Sequence, residues 1–171
     1  MKFSIQRSTL LNALQLLSKA TPTRTTLPII GCALFKIKSE KLNIRTTDLE
    51  ISISIDCNVQ NFTEGSIAIP LNKLLEITNA MSQEQIDFSI SDIGKVRIDC
   101  QQGQYTIMGQ SHEDFPIEQV IENGTTFSIS GKELMNIINN TTYATSRDDL
   151  KPVLQGVLFQ INEKGFVSVA T

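Results

Sequence analysis

The phrase Leu27-Pro28-Ile29-Ile30-Gly31-Cys32-Ala33-Leu34-Phe35 is answered near the end of the chain by Lys151-Pro152-Val153-Leu154-Gln155-Gly156-Val157-Leu158-Phe159. Pro28 and Pro152 are separated by 124 positions, and the same offset joins Leu34 to Leu158, Phe35 to Phe159 and Thr47 to Thr171. It also joins Phe3-Ser4-Ile5 to Phe127-Ser128-Ile129, and Leu10 to Leu134. One constant offset held from the first strand to the last residue marks an internal repeat, and a repeat must bury its apolar face the same way in each copy. The offset also sets an expectation about extent. Thr171 aligns with Thr47, which Asp48 follows, so residues 1–124 read as one complete domain and 125–171 as the truncated opening of a second.

Residues 2–6 alternate as a strand. Ser8 or Thr9 can cap a helix with Leu10, Leu11, Leu14 and Leu17 on one face, and Thr21-Pro22 must end it. Residues 21–27 form a polar loop carrying Arg24. An apolar, β-favouring run covers 29–38, and Ser39-Glu40-Lys41 turns it back into a strand over 42–46. From Leu49 to Val59, Ile51, Ile53, Ile55 and Cys57 alternate with Ser52, Ser54, Asp56 and Asn58, which predicts a strand with one buried face. The unit recurs in weaker form: a strand over 66–69, a helix opened by Pro70 with Leu71, Leu74, Leu75 and Ile77 inward, then strands over 86–91, 95–100 and 104–109. Residues 110–124 are polar and read as the link between domains. A third unit begins at Thr125 with a strand through Ser130. A helix follows from Lys132 to about Thr141 with Leu134, Met135 and Ile138 inward, then a loop and two strands. The expected class is α+β, built of repeated strand–helix–three-strand units in mostly antiparallel sheets with helices on one face. A strand–helix–strand order could also build a parallel sheet, but three consecutive strands after each helix favour the antiparallel meander.

Several function classes fall away. At 40% hydrophobic and 19% charged residues the chain can bury a core. It has no apolar run of about 18 residues, so no membrane span is expected, and its start lacks a signal-peptide core, which makes a cytoplasmic location the expectation. Cys32, Cys57 and Cys100 are odd in number, form no C-x-x-C pair and fall inside predicted strands; buried free thiols are the reading. His112, the single histidine, lies beside Glu113 and Asp114 and reads as a solvated loop residue, without the help a metal site needs. Gly131-Lys132 resembles the end of a phosphate loop, but Thr126 stands where its first glycine belongs and Glu133 follows the lysine. Asp148-Asp149 read as a solvated turn. No catalytic residue, metal or cofactor is expected.

Charge placement says more than net charge, which is −3. Of the 18 acidic residues only Glu76 and Glu133 fall in the predicted helices, whose exposed faces carry Asn12, Gln15, Lys19, Asn72, Lys73, Lys132, Asn136, Asn139 and Asn140. If the helices share one side of the sheets, that side is polar and mildly basic and the other acidic. Such a face could touch phosphates without reading bases. The simpler alternative is a solvated helix face, and no aromatic residues interleave with the basic ones for stacking on bases.

The opening Met1-Lys2-Phe3-Ser4-Ile5 with Arg7 and Leu10, then Arg24-Thr25-Thr26-Leu27-Pro28-Ile29-Ile30-Gly31, Thr47-Asp48-Leu49-Glu50 and Asp114-Phe115-Pro116 resemble, in order and over the whole chain, the bacterial β sliding clamp family. The resemblance implies a DNA-clamp fold, with three similar domains per subunit and two subunits closed head to tail around duplex DNA. It implies no catalysis and no cofactor. The implied partners are double-stranded DNA held without sequence preference, the replicative DNA polymerase, a clamp loader and other proteins carrying a clamp-binding peptide. Arg24 matches the family's DNA-contacting arginine, and Lys19 and Lys73 lie on the same helical side. The loop from Ser146 to Asp149 matches a DNA-facing loop. There a family glutamine falls on Asp148 and nearby tyrosines fall on Pro152 and Val153, leaving Arg147 or Lys151 to supply the contact. Leu154 and Thr171 match positions of the partner-peptide pocket. Lys73, Tyr105 and Ile107 match the first domain's dimer edge. The alternative is a protein-interaction module of the same fold that never touches DNA.

Overall fold

A computed structural model of the chain describes residues 1–22, 25–82, 84–100, 103–117, 124, 126–148, 150–162 and 165–171. The chain divides into two compact units, Met1–Gln119 and Val120–Thr171.

The first unit holds strands β1 (Lys2–Gln6), β2 (Cys32–Lys38), β3 (Lys41–Thr47), β4 (Ser52–Asn58), β5 (Gln60–Thr63), β6 (Gly65–Pro70), β7 (Gln85–Ile90), β8 (Lys95–Cys100) and β9 (Gly103–Met108), with helices α1 (Arg7–Leu17) and α2 (Leu71–Ala80). The strands form a five-stranded sheet in the order β5-β1-β7-β8-β9 and a four-stranded sheet in the order β4-β3-β2-β6. Every pairing is antiparallel. The two strand–helix–three-strand units of the sequence therefore exchange their leading strands. β1 joins the meander β7-β8-β9, and β6 joins β2-β3-β4. A strand, a crossover helix and a neighbouring strand of one sheet would run parallel; the exchange lets every neighbour run antiparallel.

One core fills the space between these layers. Phe3, Ile5, Phe35, Ile37, Leu42, Ile44, Ile67, Ile69, Ile86, Phe88, Val96 and Ile98 project into it from the strands, and Leu10, Ala13, Leu14, Leu17, Leu71 and Leu74 from the helices. Period two in the strands and a spacing of three to four in the helices supply one apolar face each. The sheets also meet at their edges. At one side the chain passes from β4 into β5 through Val59 and so changes sheet. At the other, Ala68 of β6 and Gln110, just past β9, exchange both backbone hydrogen bonds, at 3.1 and 2.8 Å. Gly109 fits only as glycine beside this bridge, since a Cβ there would lie 2.9 Å from the Ala68 carbonyl oxygen.

Several local expectations are corrected. β5 is absent from the strands expected. Neither Ser8 nor Thr9 caps α1: Gln6 occupies the cap position while still paired with Gln85, and the Arg7 N–H is satisfied by the Glu84 carbonyl at 2.6 Å. The run over 29–38 is split, because Pro28–Gly31 forms a 3-10 turn before β2 begins. Residues 110–117 are no free linker. His112–Asp114 forms a 3-10 turn, and Phe115 is buried against Cys32 and Ala68 with Ile29 and Leu34 beside them. Cys32 and Cys57 are buried free thiols whose pKa burial raises, while Cys100 is only half-buried.

The Thr47-Asp48-Leu49-Glu50 motif has a local explanation. It turns β3 into β4 with Leu49 at φ 81°, where a non-glycine residue is strained. The Asp48 carboxylate accepts the N–H of Ile51 at 2.6 Å and of Glu50 at 3.0 Å, and Thr47 Oγ1 accepts Leu49 N–H and donates to the Ile51 carbonyl. The Ile51 and Glu50 amides hold the Asp48 pKa below its ordinary value. A depressed carboxylate stabilises the fold above its ordinary pKa, and that contribution is lost as pH falls through the folded value. Asp48→Asn is therefore expected to unfold at lower urea than the parent at neutral pH, with the gap closing in acid. A gap constant across pH would show that the charge contributes nothing to the turn.

The second unit contains α3 (Gly131–Thr141), β10 (Leu158–Asn162) and β11 (Gly165–Val169). Its elements repeat those of the first at the sequence offset. α3 falls 124 residues after α1 at both ends, the 3-10 turn Thr142–Ala144 answers Ser18–Ala20, and Pro152–Gln155 answers Pro28–Gly31. The β10–β11 hairpin keeps the β2–β3 register: Leu158 pairs with Val169 as Leu34 pairs with Arg45, and Asn162 with Gly165 as Lys38 with Lys41. Three expectations differ. Among the described residues, 126–130 pair with no strand. Leu134 and Ile137 are the half-buried apolar residues of α3, while Met135 is 58% exposed and Ile138 36%. The helix also starts at Gly131, set by a capping box in which Ser130 Oγ accepts Glu133 N–H and the Glu133 carboxylate accepts from Ser130.

Candidate nucleic-acid interface

In the first unit α1 and α2 pack on each other, α1 over β1, β3 and β4, and α2 over β2 and β6. Their relation is fixed by Arg7, which sequence reasoning does not single out. Its Nε donates to the Thr78 carbonyl at 2.9 Å and its Nη2 to the Asn79 carbonyl at 3.2 Å, both in the last turn of α2. These carbonyls have no partner within their own helix, and a cation suits the negative end of the helix dipole. A guanidinium at the start of α1 thus closes the end of α2. The signal is present in the sequence: a cation in a helix's first turn opposes that helix's own dipole, so it must be used elsewhere. Arg7→Met keeps the stem and removes the donors, and is expected to lower stability by about 1–2 kcal/mol in urea unfolding, with Arg7→Lys in between. No loss would mean solvent serves the α2 carbonyls equally well.

Because the start of α1 meets the end of α2, Lys19, just past α1, and Lys73, in the first turn of α2, stand toward the same end of the helix pair. Both are exposed or partly so, as are Asn12, Gln15 and Asn72. Glu76 is the single acidic residue of these two helices. In α3, Glu133 is engaged by Ser130, whose side chain and then backbone N–H lower its pKa. Arg24 lies outside the described residues.

The contrast between a basic helical side and an acidic sheet side does not hold. Outward positions of the four-stranded sheet carry Lys36, Lys38, Lys41 and Arg45 against Asp56, and those of the five-stranded sheet Lys2, Lys95 and Arg97 against Asp87 and Asp99. The carboxylates gather at turns, where backbone N–H groups need acceptors: Asp48 at the β3–β4 turn and Glu64, which accepts Ser39 N–H at 3.1 Å. The helical side is distinguished by amides and scarce acid rather than by many cations.

In the second unit Arg147 and Lys151 are both exposed on the loop between Thr142–Ala144 and Pro152–Gln155. Asp148 is tied into that loop, its carboxylate accepting Leu150 N–H at 3.0 Å and its carbonyl Lys151 N–H at 3.1 Å; Asp149 lies outside the described residues. Leu154 is half-buried on the 3-10 turn, and its carbonyl accepts Ser146 N–H at 2.9 Å. Thr171 follows β11 and is exposed. In the first unit Tyr105 and Ile107 share one side of β9, the outermost strand of its sheet, opposite the buried Ile98 and Val96; Ile107 packs on the core and Tyr105 is 36% exposed. Lys73 stands on a different element, α2. Among the described residues no group of three His, Cys, Asp or Glu side chains could hold a metal ion, and no helix is long and apolar enough to cross a membrane.

Paired helices against two antiparallel sheets, begun again at a fixed offset, define the DNA-clamp class of fold. The family model of the DNA polymerase III beta subunit, N-terminal domain, matches residues 1–119, and the chain belongs to that family. The beta sliding clamp of Vibrio cholerae is 28% identical over 172 residues, covering all of this chain and 47% of the relative. That of Pseudomonas aeruginosa is 29% identical over 173 residues with the same shares. The crystal structure of the Pseudomonas aeruginosa DNA polymerase III subunit beta superposes with a TM-score of 0.93 at 28% identity over all of this chain and 47% of that one. The Bacillus subtilis sliding clamp, at 23% identity and a TM-score of 0.94 over all of this chain and 47% of that one, shares the fold. The chain spans about half the length of the relatives it matches.

Proposed function

We propose that this chain is the first part of a DNA polymerase processivity factor, a ring-shaped sliding clamp that encircles duplex DNA and tethers the replicative polymerase and other clamp-binding proteins, with no catalysis of its own. Residues 1–124 form the complete first clamp domain and 125–171 the opening of the second, in a cytoplasmic protein that closes as a homodimer with a clamp loader's help. The observation that carries this reading is the offset itself: helix, 3-10 turns and hairpin register recur 124 residues apart, as a ring of like domains requires.

The helical face suits sliding. Arg24, Lys19 and Lys73, joined by Arg147 and Lys151 of the second domain, give few phosphate contacts, each worth about 0.9 in the slope of log affinity against log salt. So few cations bind weakly, and retention comes from topology. Tyr105, Ile107 and Lys73 serve the subunit edge, and Leu154 and Thr171 belong to the partner-peptide pocket. The test takes the protein as its native cell makes it, loaded onto nicked circular duplex. It is expected to stay through gel filtration and to be lost once the circle is cut. Equal retention on both forms excludes a topological link.

A further inference from the structure

The outer face of the four-stranded sheet, turned away from the core, gathers like charge. Lys36 and Lys38 point outward on β2, on either side of the buried Ile37, and Lys41 and Asn43 do so on β3. The register sets Lys38 directly across from Lys41, and Asn43 between Lys36 and Asp56. Like charges opposed across a strand pair destabilise it. One carboxylate, Asp56, faces the three lysines from β4, held by Asn43, whose Nδ2 donates to its Oδ1 at 2.7 Å. Among the described residues Lys36, Lys38 and Lys41 enter no ion pair.

The face is also shaped. Residues 110–117 cross it and, with Leu34, wall a groove of about 570 Å³ over the lysines. Phe115 and Pro116 form the wall, and Ile117 stands 92% exposed at its rim. Arg45 fixes this wall, donating from Nη2 to the Pro116 carbonyl at 2.6 Å with its guanidinium over the Phe115 ring.

We propose that this groove docks an acidic, extended segment of a partner protein, its carboxylates on Lys36, Lys38 and Lys41 and an apolar side chain along Pro116 and Ile117. Alternate residues of a strand stand about 6.6–6.8 Å apart, so carboxylates at alternate positions of an extended peptide match Lys36 and Lys38. Nucleic acid fits less well. The phenyl ring lining the groove, Phe115, is buried under Arg45 and offers bases no stacking surface. A cleft of this size accepts a few residues rather than a duplex.

The inference stands apart from the clamp reading, since it uses the opposite face from α1 and α2. The test is fluorescence anisotropy on the 171-residue chain, with a labelled peptide alternating glutamate with leucine, at low and physiological ionic strength. The double variant Lys36→Glu/Lys38→Glu is expected to weaken binding about tenfold or more, while Lys2→Glu/Lys95→Glu, the same charge change on the other sheet, changes it less than about twofold. The Lys38→Glu change replaces a like-charge pair with an opposite-charge pair across from Lys41, so the first variant should melt no lower than the parent, which separates lost docking from lost fold. No binding by the parent, or equal loss in both variants, overturns the proposal. Tighter binding of an oligothymidylate through the same lysines overturns the protein occupant.

Discussion

Phe3→Ala is expected to lower the stability of the first unit by about 3–5 kcal/mol and its melting temperature by about 10–20 °C. Phe3 is 1% exposed, and its ring stacks on Phe88 with centroids 4.6 Å apart and on Phe35 at 6.4 Å. Phe88 is its direct partner across the β1–β7 ladder, while Phe35 belongs to the other sheet. The ring therefore ties the two sheets together at the centre of the core. Truncation loses the transfer energy of a phenyl group and leaves a cavity walled by residues from two rigid sheets, which collapse poorly into it. Against a domain stability of about 5–15 kcal/mol, the variant stands at the margin of folding. Calorimetry decides it: a shift of only a degree or two would mean that the sheets are held together elsewhere. Phe3→Leu should recover more than half the loss.

Phe115→Ala removes a ring of the same size but should behave differently. Phe115 is 4% exposed between Cys32, Ala68 and the Arg45 guanidinium, which lies 5.3 Å from its centroid. Its transfer energy together with the lost cation–π contact again comes to about 3–5 kcal/mol. This ring, however, pins a terminal segment rather than joining two sheets. Once the docking of residues 110–117 is lost, the rest of the unit can remain folded, so the global loss cannot exceed that segment's docking free energy. The expected result is a smaller fall in melting temperature than for Phe3→Ala, with rapid proteolytic cleavage within 110–117 while the sheets stay protected. Cleavage at the parent rate would show that Arg45 and the Ala68–Gln110 bridge suffice to hold the segment.

These two phenylalanines also show what a sequence can and cannot say. Phe3 sits in a clean alternation and repeats at Phe127, so its strand and inward face are readable from local pattern. So are α1, α2 and the hairpins, because period and turn residues are local properties. Which sheet a strand joins is not local. The exchange of β1 and β6 depends on pairing across long separations, and β5 escapes a sequence reading because Gln60-Asn61-Phe62-Thr63 is short and carries a single apolar residue. Phe115 lies in a stretch that reads as linker, although an aromatic among polar residues is itself a hint of docking. At the interface, Lys19 and Lys73 are readable as exposed helical cations. Arg7 shows only as a cation misplaced in its own helix's first turn, since its partners are backbone carbonyls 71 and 72 residues away. The lysines of the outer face are visible in the alternation of β2 and β3, but the groove over them exists only once residues 110–117 fold back.

The exchange of leading strands has a consequence for synthesis. β1 leaves the ribosome well before its partner β7, which begins roughly 80 residues later, an interval of roughly 4–16 s at common elongation rates. Until then β1 has only the short β5 to pair with, although α1 can already pack on β3 and β4. The four-stranded sheet is complete with β6, so it can form while β1 still waits. The nascent chain thus passes through a stage with one finished sheet and the other represented by β1 and β5 alone, their apolar face incompletely covered. A chaperone that engages emerging hydrophobic segments would find its target there, and synonymous codons that slow translation between β6 and β7 would lengthen the exposure without changing a residue of the finished protein.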